Sequence, residues 1–193
     1  KMLSHKLFLS VGHDEYWSLE QRKNVENARD QGVSLAFWSG NELFWSIRWE
    51  DNHRTLVCYK ESQSSVKIDP LEGSWTGTFR DARTINSRGT MPENSLTGTM
   101  WTVNAQRVDS LVVPSKFSKL RFWRNTPVSK LPPNQNYITF RGILGHEFDE
   151  DIDNGFRPPG LFRLSETKVD NVQYIQDHGS VYDTGSATHS LTL

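Results

Sequence analysis

His13, Asp14, Glu15 and Tyr16 occupy consecutive positions, so one short stretch carries an imidazole, two carboxylates and a phenol. His13 and Glu15 are suited to proton transfer, the work most often done in enzymes by imidazole and carboxylate. Tyr16 is suited to a metal, because a phenol titrates near ~10 and becomes phenolate at neutral pH beside a strong Lewis acid. Neighbours in a turn diverge, so one or two of the four can address one ion. The plainer alternative is that Tyr16 and Trp17 pack while His13 and Asp14 tie down the turn. Gly12 to Tyr16 holds neither serine nor cysteine, which removes the nucleophile-elbow route to acyl transfer.

Three further places hold candidate chemistry. GHEFDEDIDNG, residues 145–155, has carboxylates at Glu147, Asp149, Glu150, Asp151 and Asp153, and the three aspartates have the alternate spacing of a calcium loop. An EF-hand needs glycine after the third ligand and glutamate at the twelfth position; Asn154 and Gly160 stand there instead. An irregular Ca²⁺ site and a solvated acidic loop remain as the two readings. Glu93, in MPENSLTGTMW, sits in an otherwise uncharged stretch, as a ligand or a surface residue. Asn41 could orient a substrate or satisfy a turn, and Trp17, Phe44 and Trp45 could wall a pocket or fill the core. The remaining histidines are scattered, and Cys58, the one cysteine, reads as a small core residue and permits no intrachain disulfide.

The elements that must position these groups follow from the pattern. HKLFLSV, residues 5–11, reads as a buried strand because it lacks strict alternation. Ser18 fits an N-cap with Gln21 completing a capping box, and Gly32 fits the C-cap. Leu19, Val25 and Ala28 make a thin apolar face on the helix between. VSLAFW, residues 33–38, is the next strand, so residues 5–39 form a β-turn-α-β unit with two parallel strands and a right-handed crossover. ELFWSIRWE reads as one or two helical turns. Ligands in such sheets bind beyond the carboxyl ends of parallel strands, so VGHDEYW and FWSGNELFW are expected to line one pocket. After residue 53 short β-like runs, among them KLRFWRN, are punctuated by Gly, Pro, Asn and Asp, which predicts an antiparallel half. The expected division is therefore a βαβ part, 1–53, and a β-rich part, 54–193, of one domain belonging to a longer polypeptide.

Twenty-two basic and 23 acidic residues give a net charge of −1 over 193 residues, so no broad basic face recruits nucleic acid or a membrane. No apolar stretch reaches the ~20 residues that span a bilayer.

The string SVGHDEYWSLEQRKNVENARDQGVSLAFWSGNELFW, with PENSLTGTMWTVN and LGHEFDEDIDNGFRPPGL, resembles the C-terminal domain found in the large chain of N,N-dimethylformamidase. These stretches look most like the bacterial members found in secreted multi-domain proteins. The resemblance implies an α/β fold with a class I glutamine amidotransferase-like parallel-sheet core, here truncated, that lacks the amidotransferase cysteine. It implies hydrolysis of a linear amide at ferric iron (Fe³⁺) held by two tyrosines and a glutamate. Tyr16 matches one tyrosine, and the other would lie upstream; Glu93 matches the glutamate, with Glu147 second. The histidine that accompanies that glutamate has no counterpart in RGTMPEN, and His13 is the nearest substitute. The implied partners are a small-molecule amide and other domains of the same polypeptide, in an extracellular setting. The alternative is a non-catalytic module that binds glycan or calcium.

Overall fold

The structure, a computed structural model, describes residues 2–176, 179–190 and 192–193. Of the runs expected to be strands, NVQYIQDHG and ATHSLTL therefore include positions (177, 178 and 191) outside the described residues.

Strand β1 (Leu7–Ser10) runs parallel to β3 (Ser34–Phe37), and helix α1 (Leu19–Asp30) connects them. The helix starts where its sequence says it should. The Ser18 hydroxyl accepts from the Gln21 N–H at 3.2 Å, while the Gln21 side chain accepts from the Ser18 N–H at 2.8 Å. Gln31 is the C-cap, and Gly32 follows it at φ 88°, where a β-carbon would be strained. One face of the strand pair packs Phe8 and Phe37 against Trp17. The other leaves Leu7, Leu9, Val11 and Trp38 exposed, Trp38 at 67%.

That bare face bears on the expected class. Parallel sheets of α/β proteins are covered on both faces and extended by further parallel strands. Here, among the described residues, parallel pairing is confined to β1/β3 and to β2 (Tyr16–Ser18) with β4 (Trp45–Glu50). The expectation of an α/β fold with a glutamine amidotransferase-like parallel core is thus overturned: the chain is mostly antiparallel β-structure with little helix. The segment ELFWSIRWE is not helical either, because β4 pairs with β2 on one side and with β5 (Thr55–Val57) on the other. Alternating Trp45, Ile47 and Trp49 suits a strand better than a helix.

The short helix α2 (Asn94–Thr97) precedes β6 (Met100–Asn104). Strand β6, with β9 (Glu147–Glu150), β10 (Thr167–Ile175) and β11 (Val181–His189), closes a four-stranded barrel around Val103, Phe148, Val169, Val172 and Ala187. Part of the acidic stretch at 145–155 is therefore a strand, which buries Asp149 and leaves Glu147 and Glu150 half-buried. A hairpin of β7 (Asp109–Pro114) and β8 (Asn136–Leu144) lies beside the barrel. KLRFWRN, expected as a strand, instead holds a 3₁₀ turn at Arg121–Trp123.

Candidate functional site

The two strand exits do meet, but they zip together rather than enclose a pocket. Leu43 N–H donates to the Asp14 carbonyl at 2.9 Å, and the Phe44 and Trp45 N–H groups donate to the Glu15 carbonyl at 3.0 and 2.8 Å. Asn41 (φ 52°) and Leu43 (φ 61°) adopt left-handed backbone to make this approach. Trp17 and Trp45, read as pocket walls, are consequently core residues. The Trp17 indole donates to the Asp14 carbonyl at 3.0 Å, and Trp45 stacks edge-on to Phe44.

The groups that converge lie where this zipper meets β9. His13 Nε2 stands 2.9 Å from Glu147 Oε2 and 3.7 Å from Glu15 Oε2. Asn41 Nδ2 donates to the same Glu147 oxygen at 3.1 Å, and lies 3.4 Å from His13 Nε2. A lone pair on Nε2 would face a carboxylate oxygen at 2.9 Å, so the proton belongs on Nε2 and Nδ1 is the free acceptor. The His13 side chain is 46% exposed, so Nδ1 is within reach of water. Asn104 completes the rim, donating to Glu147 Oε1 at 3.4 Å.

Beneath the rim lies a layer of buried acids. Asp149 accepts from the Asn41 N–H at 2.9 Å and the Thr99 hydroxyl at 3.0 Å. Burial, then the charge of Glu93, pushes its carboxyl up to about 6 against those hydrogen bonds and Arg80. Glu42 is buried, and among the described residues neither carboxylate oxygen has a hydrogen-bond partner within bonding distance. Burial raises it to about 8, and Asp149 and Asp14 add to the rise against weaker help from the Ser10 hydroxyl and Ser39 backbone. The Asn41 Oδ1 atom is buried and unpartnered too. Sequence reasoning missed Glu42; the signal was there, a lone charge inside the aromatic run FWSGNELFW.

The expected iron donors are arranged otherwise. Tyr16 packs against the Phe44, Trp45, Trp101 and Ile175 cluster, and the Lys60 ammonium lies 5.5 Å from its ring and 4.8 Å from that of Trp45. Glu93 sits at the start of α2 without capping it; both its oxygens are bound by the Arg80 guanidinium, which also donates to the Trp101 carbonyl at 2.6 Å. Glu147 is engaged by His13, Asn41 and Asn104. Two of the three donors thus already face a fixed cation, and among the described residues no three His, Cys, Asp or Glu side chains are grouped to hold a metal ion. As arranged here, Tyr16, Glu93 and Glu147 do not form an iron site.

The calcium reading fares no better. Asp149 is bound as above, Asp151 accepts from Arg157 and Arg163 at 2.6 and 2.9 Å, and Asp153 is exposed and accepts from the Gly155 N–H at 3.4 Å. The three aspartates point to three different surroundings. The cavities of note lie elsewhere: a groove of about 1020 Å³ along Ser115, Asn134–Asn136, Glu150 and Thr188, and one of about 450 Å³ at Phe117, Asp153 and Arg157. Asp151 and Arg163 border both. The acidic cluster around His13 and Glu147 is instead marked by perturbed and unpartnered groups, which is the better guide to chemistry.

A protein-family model described as N,N-dimethylformamidase beta subunit-like, C-terminal, matches residues 1–193. No curated protein matches the chain.

Proposed function

Because the chain belongs to the N,N-dimethylformamidase beta subunit-like, C-terminal family, we propose that it hydrolyses the C–N bond of a small linear amide at the solvent-accessible His13–Glu147 pair. The observation that carries this reading is His13 Nε2 at 2.9 Å from Glu147 Oε2 on a side chain that is 46% exposed. Glu147 fixes the tautomer and stabilises the imidazolium that forms when Nδ1 takes a proton from water. The resulting hydroxide adds to the amide carbonyl, while the buried Asn41 amide holds the Glu147 carboxylate in place. The proton on His13 then passes to the leaving amine, so that amide and water become acid and amine. Glu15 lies 3.7 Å from His13 Nε2, on the same side of the ring as Glu147. No step is routed through iron, since the donors present do not assemble a site for it.

The test is release of amine from formamides and short N-alkyl amides. His13→Asn is expected to lower kcat by about 10²-fold or more while leaving the fold intact. No release from any linear amide by the wild-type protein, with or without added ferric iron, would sink the reading.

A second reading is a binding module. It draws on the 1020 Å³ groove, whose Ser115, Asn134, Gln135, Asn136 and Thr188 side chains are the planar amides and hydroxyls that hydrogen-bond a glycan. Binding of an oligosaccharide, abolished by Asn136→Ala and untouched by His13→Asn, would favour it.

A further inference from the structure

Residues 115–130, SKFSKLRFWRNTPVSK, contain Lys116, Lys119, Arg121, Arg124 and Lys130 and no acidic residue. A whole-chain charge of −1 conceals this segregation. The segment folds as three 3₁₀ turns, Ser115–Phe117, Arg121–Trp123 and Pro127–Lys130. Trp123 and Val128 point inward to a core with Val113 and Leu164, and the Trp123 indole donates to the Leu164 carbonyl at 2.9 Å. With that anchor inside, the residues on either side of Trp123 face out. Phe122 is 51% exposed, its ring edge-on to Trp123 at 5.0 Å.

A run of charge on a protein surface is ordinarily just solvated, and two observations set this one apart. Lys116 is paired with Glu166 at 2.8 Å, but among the described residues no carboxylate pairs with Lys119, Arg121, Arg124 or Lys130. Phe122 stands exposed between Arg121 and Arg124 in the chain, an apolar ring flanked by cations as in interfacial lipid-binding segments. We propose that this face docks on an anionic lipid surface, with Phe122 entering the headgroup layer and the four unpaired cations facing lipid phosphates and carboxylates.

The shape of the face favours a bilayer over a linear polymer. None of Lys119, Arg121, Phe122, Arg124 and Lys130 lines either cavity described above, and an exposed ring set among cations suits a headgroup layer. Trp123 holds the backbone, so Phe122 is presented as a fixed wedge rather than a loose tip. Each basic residue near an anionic leaflet strengthens binding by about 5-fold, an attraction that salt screens.

The experiment is co-sedimentation with phosphatidylcholine vesicles, with and without phosphatidylserine, over a range of salt. The protein is expected to bind only the anionic vesicles, and to release as salt rises. Arg121→Glu with Arg124→Glu should weaken binding roughly 100-fold or more, and Phe122→Ser roughly 5-fold. Arg54→Glu, an exposed charge outside the segment, controls for net charge and should change little. Lys119→Glu with Lys130→Glu serves as the second pair if the arginine pair melts at lower temperature. The proposal is overturned by absence of binding to anionic vesicles at low salt. It is also overturned by wild-type binding in both charge-reversed pairs, or by preference for heparin or single-stranded DNA over vesicles.

Discussion

Glu61 and Glu42 are shut away from solvent almost equally, at 0% and 1% exposure, yet only one has its oxygens bonded. Glu61 belongs to a loop region, residues 58–86, held together by polar groups. It accepts from Lys67 Nζ at 2.8 Å, from the Ile68 and Asp69 N–H groups at 3.0 Å each, and from the Thr76 N–H at 2.8 Å. Burial alone would raise its pKa, but those donors outweigh it and hold the carboxyl below its usual range. Asp69, bound by Arg48, is likewise carried past the cost of burial, down to about 2. Around the His13–Glu147 pair the balance reverses: for Glu42 and Asp149 the donors present are too weak to offset burial. A carboxylate ringed by donors is part of the fold. One kept buried without them costs stability in its charged form.

The contrast can be broken most sharply at Glu61. Glu61→Ala leaves Lys67 and three backbone N–H groups without their acceptor inside the protein. Loss of a partner from such a buried network costs on the order of 3–5 kcal/mol, read by urea denaturation. A loss under about 1 kcal/mol would show that the loops do not depend on this carboxylate.

The next effect is opposite in sign and depends on pH. Glu42 has a folded pKa of about 8 against an ordinary 4.5, so the folded state holds its proton more tightly. Its contribution is therefore fully present below about 4.5 and is lost as pH rises through 8. Glu42→Gln mimics the protonated form. It is expected to change stability little at pH 5 and to raise it by roughly 2–4 kcal/mol at pH 8. Asp69 titrates the other way: its contribution is present above 3.8 and lost as pH falls through about 2. Thermal melts of wild type and Glu42→Gln across that range check both arms, and parallel curves would remove the distinction between the two regions.

How much of this was legible in the sequence depends on how far apart the interacting groups lie. Ser18, Gln21 and Gly32 act within one helix, and the capping box and left-handed exit are both present as their spacing implies. The parallel β1/β3 pair follows from the same local unit. The surrounding class did not follow, because a βαβ unit says nothing about how many strands join it. β4 and β9 read as a helix and an acidic loop because their strand character comes from partners remote in the chain, β2 for the first and β6 for the second. Of the site, His13, Glu15, Asn41 and Glu147 all stand out in the sequence, though in separate roles. That they meet is a product of the Asn41 turn, whose left-handed backbone no spacing rule announces. Glu42 stands out only as a lone charge inside an aromatic run; its burial is a property of the packed protein.

The smallest effects belong to the aspartates whose spacing resembles a calcium loop. Asp151 is buried between Arg157 and Arg163, and burial is outweighed by those two guanidinium groups, which hold its pKa low. Asp151→Asn is expected to cost about 1–2 kcal/mol, since both arginines keep partial solvent access and one acceptor oxygen remains. Asp153, two residues on, faces water with one long backbone contact, so Asp153→Asn should stay within about 0.5 kcal/mol. Added calcium should leave the melting temperature of all three proteins unchanged, because a bound ion stabilises by mass action only where its ligands converge. A calcium-dependent rise in Tm that vanished in Asp153→Asn would mean that the loop closes on an ion, and residues 149–153 would then join the His13–Glu147 pair as a second candidate site.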